Sequence, residues 1–163
     1  MTKNSHCSHC GHPFAVDQPW PRTCGNCGRM SFVNPLPVVV MLVPVDDGLL
    51  QIRRGIEPGR GKWAFPGGFV DLGETWQEAG AREVLEETHL RIDPAEIREF
   101  QVRSAPDGTL LIFGLAKPRG EAMLPPFEAT DETTERLVRR ELTGMAFELH
   151  AQAGEAFYNG HSL

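Results

Sequence analysis

The chain has 163 residues, of which 40% are apolar, 23% charged and 8% aromatic, and its formal net charge is −6. That length supports one well-filled core with a small appendage, and the composition is that of a soluble globular protein. It excludes a membrane-spanning helix, because the run "VVVMLV" (38–43) stops at Pro44 far short of spanning length; the acidic balance argues against broad nucleic-acid coating, so nucleic acid is not the expected partner.

"MTKNSHCSHC" at the start lacks the apolar stretch of a secretory leader, which makes a cytoplasmic location with reduced cysteines the expectation. Charge is spread unevenly: Lys3, Arg22 and Arg29 against Asp17 give residues 1–37 a charge of +2, leaving −8 on the remainder. "CSHC" (7–10) and "CGNC" (24–27) hold every cysteine as two C-x-x-C pairs separated by thirteen residues, each followed by a glycine, Gly11 or Gly28. Glycine there allows the tight turn that brings backbone amides toward thiolate sulfur. Cys7, Cys10, Cys24 and Cys27 in a tetrahedron would make a closed structural Zn²⁺ site, with iron in the same geometry or disulfides as the alternatives. Four sulfurs complete such a shell, so His6, His9 and His12 are expected at the surface. A module this small depends on its metal to fold, and residues 1–34 are accordingly read as a zinc ribbon, with 35–163 as the second domain.

"SFVNPLP" (31–37) is a proline-stiffened connector. Beyond it, "VVVMLVPV" and "LLQIRR" flank "DDG" (46–48) and predict a hairpin, and "EFQVRS" and "TLLIFGLAKP" flank "APDG" (105–108) and predict another. "TTERLVRREL" (133–142) predicts a helix, as does "MAFELHAQAGEAFY" (145–158). Strands interrupted by one helix and closed by others imply an α/β fold with helices on the faces of a sheet.

The interrupting helix is "REVLEETH" (82–89). At 3.6 residues per turn Glu83, Glu86 and Glu87 share one arc of about 100°, while Ala81, Val84, Leu85 and Thr88 gather on another and offer an apolar face. Like charges at these spacings disfavour a helix by about 0.2–0.5 kcal/mol per pair, and the late-helix position adds an unfavourable dipole of roughly 0.3–1 kcal/mol. Arg82 answers part of this charge through i±4 spacing to Glu78 and Glu86. A hard divalent cation is the natural remainder; the alternative is a solvated acidic surface. Ahead of the helix, "WAFPGGFVDLGET" (63–75) carries Gly67, Gly68 and Gly73, a backbone able to approach a ligand closely.

Counting from Gly68, five residues lead to Glu74 and seven more to Arg82, then Glu83, Val84, Glu86, Glu87 and Leu90 follow. This resembles the signature of the Nudix hydrolases, G-x5-E-x7-R-E-U-x-E-E-x-G-U with U aliphatic. His89 stands where the signature has glycine, a position that ends the helix in left-handed geometry. The wider chain is similar to the branch with a four-cysteine ribbon, an "NP" connector, "IEPGRGKW" before the signature and "ETTERL" and "MAF" after it, which contains ADP-ribose and FAD pyrophosphatases. "QPWP" (18–21) resembles part of an NADH pyrophosphatase motif, but lies between the cysteine pairs rather than after the signature, which lowers NADH.

The resemblance implies an α/β/α sandwich with a mixed sheet. It also implies Mg²⁺ or Mn²⁺ held by Glu83, Glu86, Glu87 and the Gly68 carbonyl, with Arg82 orienting the carboxylates and Glu74 as its partner, against Glu78 and Glu86 as competitors. Glu86 is the first candidate for activating water and Glu132, in "EATDETTE" (128–135), the second. Arg53, Arg54 and Arg60 are candidates for pyrophosphate contact, since guanidinium matches phosphate oxygens; a plain surface role is the alternative for each. Trp63 and Phe65 belong to packing rather than base stacking. The expected activity is metal-dependent hydrolysis of a nucleoside diphosphate linked to another moiety, with ADP-ribose first and FAD or NADH next, and family members of this kind are often homodimers. The rivals are a nucleotide-binding regulatory or scaffold protein without turnover, and a pyrophosphohydrolase that clears damaged nucleoside triphosphates.

Overall fold

The structure, a computed structural model, describes residues 3–160. The chain divides into two compact units, Met1–Pro35 and Leu36–Leu163.

The first unit is built from two copies of one turn. Cys7 N–H donates to the His12 carbonyl and Gly11 N–H to the Cys7 carbonyl (2.8 and 2.9 Å); Cys24 with Arg29, and Gly28 with Cys24, repeat the pattern at 2.9 Å each. Gly11 and Gly28 both sit at φ 71°, a left-handed value that a side chain would strain. The two strands β1 (Arg22–Thr23) and β2 (Met30–Ser31) close the second turn as an antiparallel pair. These turns bring all four cysteine sulfurs within 4.8 Å of one another. His9 N–H points at Cys7 Sγ (3.4 Å), and its pull is the main reason that the Cys7 thiol is lowered to about 6, toward thiolate. Four soft donors, gathered with amides aimed at sulfur, fit zinc. His6, His9 and His12 are exposed, as expected.

The second unit is organised around β3 (Leu36–Leu42), whose residues from Val39 onward are almost wholly buried. Its two faces serve different clusters: Val39 and Met41 pack with Ala79 and Val84 of helix α1 (Trp76–Thr88), while Val40 and Leu42 pack with Phe65, Phe113 and Ala153 of helix α2 (Glu148–Tyr158). A strand covered on both faces reads as an unbroken apolar run, which is what "VVVML" is. β3 runs parallel to β9 (Thr109–Leu115), and antiparallel to β7 (Gly67–Phe69); β8 (Arg98–Ser104) completes this mixed sheet in the order β7-β3-β9-β8. The expected hairpin between β8 and β9 is present, and helices cover the sheet on both faces.

A second, antiparallel sheet holds β5 (Gly48–Arg54) between β10 (Thr133–Arg139) and the short strands β4 (Pro44–Val45) and β6 (Trp63–Ala64). Two expectations fail here. The first hairpin involves only β4 and β5, around Asp46 and Asp47, because the run from Val38 breaks at Val43, just ahead of Pro44, and its main part joins the other sheet. "TTERLVRREL" is not a helix: residues 133–139 are a strand, where paired backbone along β5 and β-branched Thr133, Thr134 and Val138 outweigh helix propensity. The last helix begins at Glu148, three residues later than the predicted 145.

The ribbon generates a direct test. Purified under reducing conditions, the full chain is expected to carry one zinc per chain by elemental analysis, and Cys24→Ser should abolish that zinc and melt the ribbon's amide signals while leaving those of β3 and β9 in place. Full zinc-free folding of the ribbon contradicts this reading.

Candidate active site

Helix α1 is fixed at both ends by side chains. At its start Thr75 and Glu78 form a reciprocal capping box: Thr75 Oγ1 accepts the Glu78 N–H (3.2 Å) and Glu78 Oε2 accepts the Thr75 N–H (2.7 Å). That commits Glu78 to the cap, so the Arg82–Glu78 pair expected from spacing does not form. At its end His89 adopts φ 60°, ψ 3°, donates to the Leu85 carbonyl at 2.8 Å and sets its ring 5.5 Å from that of Phe127. Histidine thus meets the left-handed requirement of the signature's glycine, at about 1–2 kcal/mol of backbone strain. Arg136 of β10 supplies what the negative end of the helix lacks. Its guanidinium donates to the Thr88 and Pro125 carbonyls and lies over Phe127. Reading β10 as a helix hid this cation from sequence reasoning.

Arg82 is the hub of the acidic face. It forks onto Glu74 (Nη2–Oε1 2.8 Å, Nε–Oε2 3.3 Å), shares Nη1 between Glu83 (2.7 Å) and Glu86 (3.3 Å), and donates to the Phe69 carbonyl at 3.0 Å. Arg82, helped by the Asp71 amide, holds the Glu74 carboxyl below the usual range. One guanidinium therefore ties the end of β7 to the loop and to two turns of α1.

The three helix glutamates differ in depth. Glu86 is exposed, Glu83 is half-buried and Glu87 is 8% exposed. Glu83 lies against Gly68, where any Cβ would overlap its carboxylate, and Glu87 accepts the Gly67 N–H at 2.9 Å. A side chain at 68 would push the Glu83 carboxylate aside, whereas one at 67 would run into the backbone of Val39 and Val40, so close approach requires glycine at 67. Burial raises both carboxyls, Glu87 to about 8, with neighbouring acid charge including Glu132 adding to the effect. Glu132 is exposed, in the segment just before β10 whose carbonyl accepts the Gly55 N–H (2.7 Å).

These carboxylates are not drawn to one point; among the described residues only the four cysteines gather three or more ligating atoms within 4.8 Å. The donor set nevertheless suits a hard cation. Its oxygens stand beside a glycine strand, two of the carboxylates are removed from water, and the guanidinium bonded to them is already shared, so Mg²⁺ or Mn²⁺ would offset charge that Arg82 cannot meet alone.

Next to this face opens a cleft of about 700 Å³ whose wall includes Arg54, Gly67, Gly68, Phe65, Phe147 and His150. Arg54 donates Nε–H to the Pro58 carbonyl (2.7 Å) and lies over Phe147. Successive strand residues face opposite ways, so Arg53 turns elsewhere, paired with Glu135 at 2.6 Å and resting on Trp63. Arg60 is exposed and outside the cleft lining. Trp63 and Phe65 are both buried, the packing role expected of them. Of the three arginines, the structure brings Arg54 alone to the cleft. His150, which sequence reasoning passed over as part of a packing helix, is buried in the cleft wall.

Two outcomes follow from this geometry. Arg82→Lys keeps the charge and loses the fork, and is expected to weaken Mg²⁺ affinity about 10–100-fold, read by magnesium titration, with the far-ultraviolet dichroism of the helix unchanged. For the metal-free chain, a carboxyl raised from 4.5 to about 8 in the folded state stabilises fully below 4.5, and that contribution is lost as pH rises through about 8. Thermal melts should therefore show stability falling between pH 5 and 8 in the parent and a flatter profile in Glu87→Gln; identical profiles contradict the assignment.

The sequence model of the family described as NUDIX domain matches residues 35–156. Among curated proteins, the NAD-capped RNA hydrolase NudC of Edwardsiella ictaluri is 34% identical over 87 residues, covering 53% of this chain and 34% of that protein. Its counterpart from Salmonella heidelberg is 27% identical over 123 residues, covering 75% and 48%. The chain spans about half the length, or less, of these curated relatives. Among solved structures, a Nudix hydrolase from Nitrosomonas europaea superposes with a TM-score of 0.73 at 25% identity, covering 96% of this chain and 94% of that one. A bifunctional NMN adenylyltransferase/ADP ribose pyrophosphatase from Francisella tularensis, complexed with AMP and a manganese ion, gives 0.64 at 26%, covering 79% and 42%. A family match over residues 35–156, about three quarters of the sequence, on a fold that sets Gly68 against Glu83 of α1, makes this chain a member of the Nudix family.

Proposed function

We propose that the chain hydrolyses the pyrophosphate bond of an ADP-linked nucleotide, using residues of the α1 face and the adjoining cleft. The observation that carries this reading is the pair of carboxylates, Glu83 and Glu87, sunk against Gly67 and Gly68 beside a cleft that presents Arg54.

In this reading Glu83, Glu86, Glu87 and the Gly68 carbonyl hold Mg²⁺ or Mn²⁺. Bound there, the ion supplies Lewis acidity toward phosphate oxygen and lowers the pKa of water. Arg82 keeps Glu83 in place and, through Glu74, locks the loop between β7 and α1. Glu86, exposed and attached to Arg82 by one 3.3 Å contact, is the most free of the three to swing toward a ligand and accept a proton from water. Glu132 is the second candidate for that proton, since its charge already reaches Glu83 and Glu87. Arg54 has guanidinium donors beyond the one spent on Pro58 and would take a phosphate oxygen. Arg53 and Arg60 have no comparable position.

ADP-ribose and NAD(H) stand as the first substrates. Relatives named as an ADP ribose pyrophosphatase and as NAD-capped RNA hydrolases act on molecules that share the ADP diphosphate group, and the latter name puts a nucleotide joined to RNA back among the substrates to be tried. The ribbon, proposed as residues 1–34 ahead of a Nudix domain at 35–163, holds its Zn²⁺ as a structural element. No helix among the described residues is long and apolar enough to cross a membrane.

The test is a panel of ADP-ribose, NADH, FAD, 5′-NAD-capped RNA and nucleoside triphosphates, with AMP and pyrophosphate both quantified. AMP release from the ADP-linked compounds is expected, with pyrophosphate absent, and Glu86→Gln and Glu87→Gln should each lower kcat by about 10²–10⁴-fold. Saturable binding with no AMP would instead favour a regulatory protein, and pyrophosphate release a triphosphate-clearing enzyme.

A further inference from the structure

His150 is 6% exposed and sits among three aromatic rings: parallel to Phe65 with centroids 5.9 Å apart, edge-on to Phe113 at 5.9 Å, and tilted against Phe147 at 5.0 Å. One of its nitrogens is spoken for. The Phe65 N–H donates to Nδ1 at 3.2 Å, and a nitrogen that accepts an amide hydrogen carries none itself. The proton of the neutral ring is therefore on Nε2. Among the described residues nothing hydrogen-bonds Nε2, while the ring lines the same cleft as Arg54, Gly67 and Gly68. Among the described residues the polar atoms both shut off from solvent and unpartnered are Arg119 Nε and Thr133 Oγ1, so His150 Nε2–H is open to the cleft, and an acceptor on whatever fills the cleft is its natural partner.

The kind of acceptor follows from the surroundings. Burial, with the Arg54 charge adding to it, holds the imidazole neutral down to about 3, so it offers a hydrogen bond without charge. Arg54 lies within electrostatic reach of both Glu87 and His150 and lines the same cleft as the ring. On the reading argued above, phosphates belong at Arg54 and at the dication the carboxylates would hold. The cleft wall combines apolar Val40, Phe65, Leu111 and Phe147 with polar residues such as Thr109 and Gln152, which suits a flat ring with an in-plane lone pair and polar groups at its edge.

We propose that the cleft around His150 is a nucleobase subsite, in which His150 Nε2–H donates to an acceptor nitrogen or carbonyl of the base. The proposal rests on the cleft being the nucleotide site argued above. It makes His150 a specificity residue that reads the base and leaves the diphosphate to Arg54 and the α1 face.

Nitrogen-15 correlation spectra of the wild-type full chain test this without any variant. The Nε2–H tautomer is expected, and AMP should shift the Nε2–H signal while inorganic pyrophosphate and ribose 5-phosphate do not. In competition assays on ADP-ribose hydrolysis, His150→Leu should weaken inhibition by AMP about 5–10-fold and leave inhibition by pyrophosphate unchanged. His150→Gln, whose amide also donates, should recover most of that loss, and His150→Leu should raise KM more than it lowers kcat. AMP binding with an unmoved Nε2–H signal overturns the subsite and spares the hydrolase reading. An equal response to pyrophosphate also overturns it, assigning His150 to phosphate. Absence of AMP binding overturns both.

Discussion

A carboxylate removed from water must be met by positive charge or keep its proton, and much of the second unit is arranged around that constraint. Glu83 and Glu87 are set into the seam between α1 and β7, where backbone amide and glycine leave room for them but one arginine cannot neutralise them. In isolation such a seam is unfavourable: breaking or withholding the partner of a buried charge costs several kcal/mol. The fold tolerates it because both ends of the helix are held independently. The capping box fixes the first turn, and Arg136 meets the last carbonyls, so the acid-rich middle is carried by structure on either side.

β3 makes this possible at a distance. Its alternating residues serve two cores at once, anchoring α1 on one face and α2 on the other, and its antiparallel register with β7 sets Val39 opposite Gly68. The same strand thus positions the carboxylates of α1 and, through the packing of α2, the His150 ring in the cleft wall. The cleft thus brings together Arg54, the glycines of β7 against which the acids of α1 lie, and an imidazole among aromatic rings.

The site was more legible in the sequence than the fold around it. Glutamate spacing, the position of Gly68 and the turn of His89 are local facts, governed by helix geometry and backbone sterics over a few residues, and each appears in place. The four cysteines were readable for the same reason, since a C-x-x-C turn is set by its own glycine. Long-range pairing left weaker marks. "TTERLVRREL" carries charges at helical spacing, and only the availability of β5 as a neighbour makes it a strand; with it came Arg136, invisible until the strand was placed. Pro44 marked a break in the first apolar run, yet which sheet each part would join depends on β9, whose Leu111 pairs with Val38 across 73 residues, a separation that local patterns do not encode. Arg53 and Arg54 looked equivalent as neighbours and were separated by the two-residue period of a strand. His150 had no signal beyond being a polar residue in an amphipathic segment, since its meaning comes from the amide of Phe65 and the cleft behind it.

Proton release on metal binding reads out whether the buried acid of α1 receives a dication. Magnesium titrated calorimetrically into the metal-free chain near pH 7, in buffers of different ionisation heat, should displace close to one proton per bound ion, because Glu87 holds its proton up to about 8 until the ion arrives. Glu87→Gln should release almost none. Magnesium that binds the parent with no proton displaced, or that does not bind it, would contradict the account.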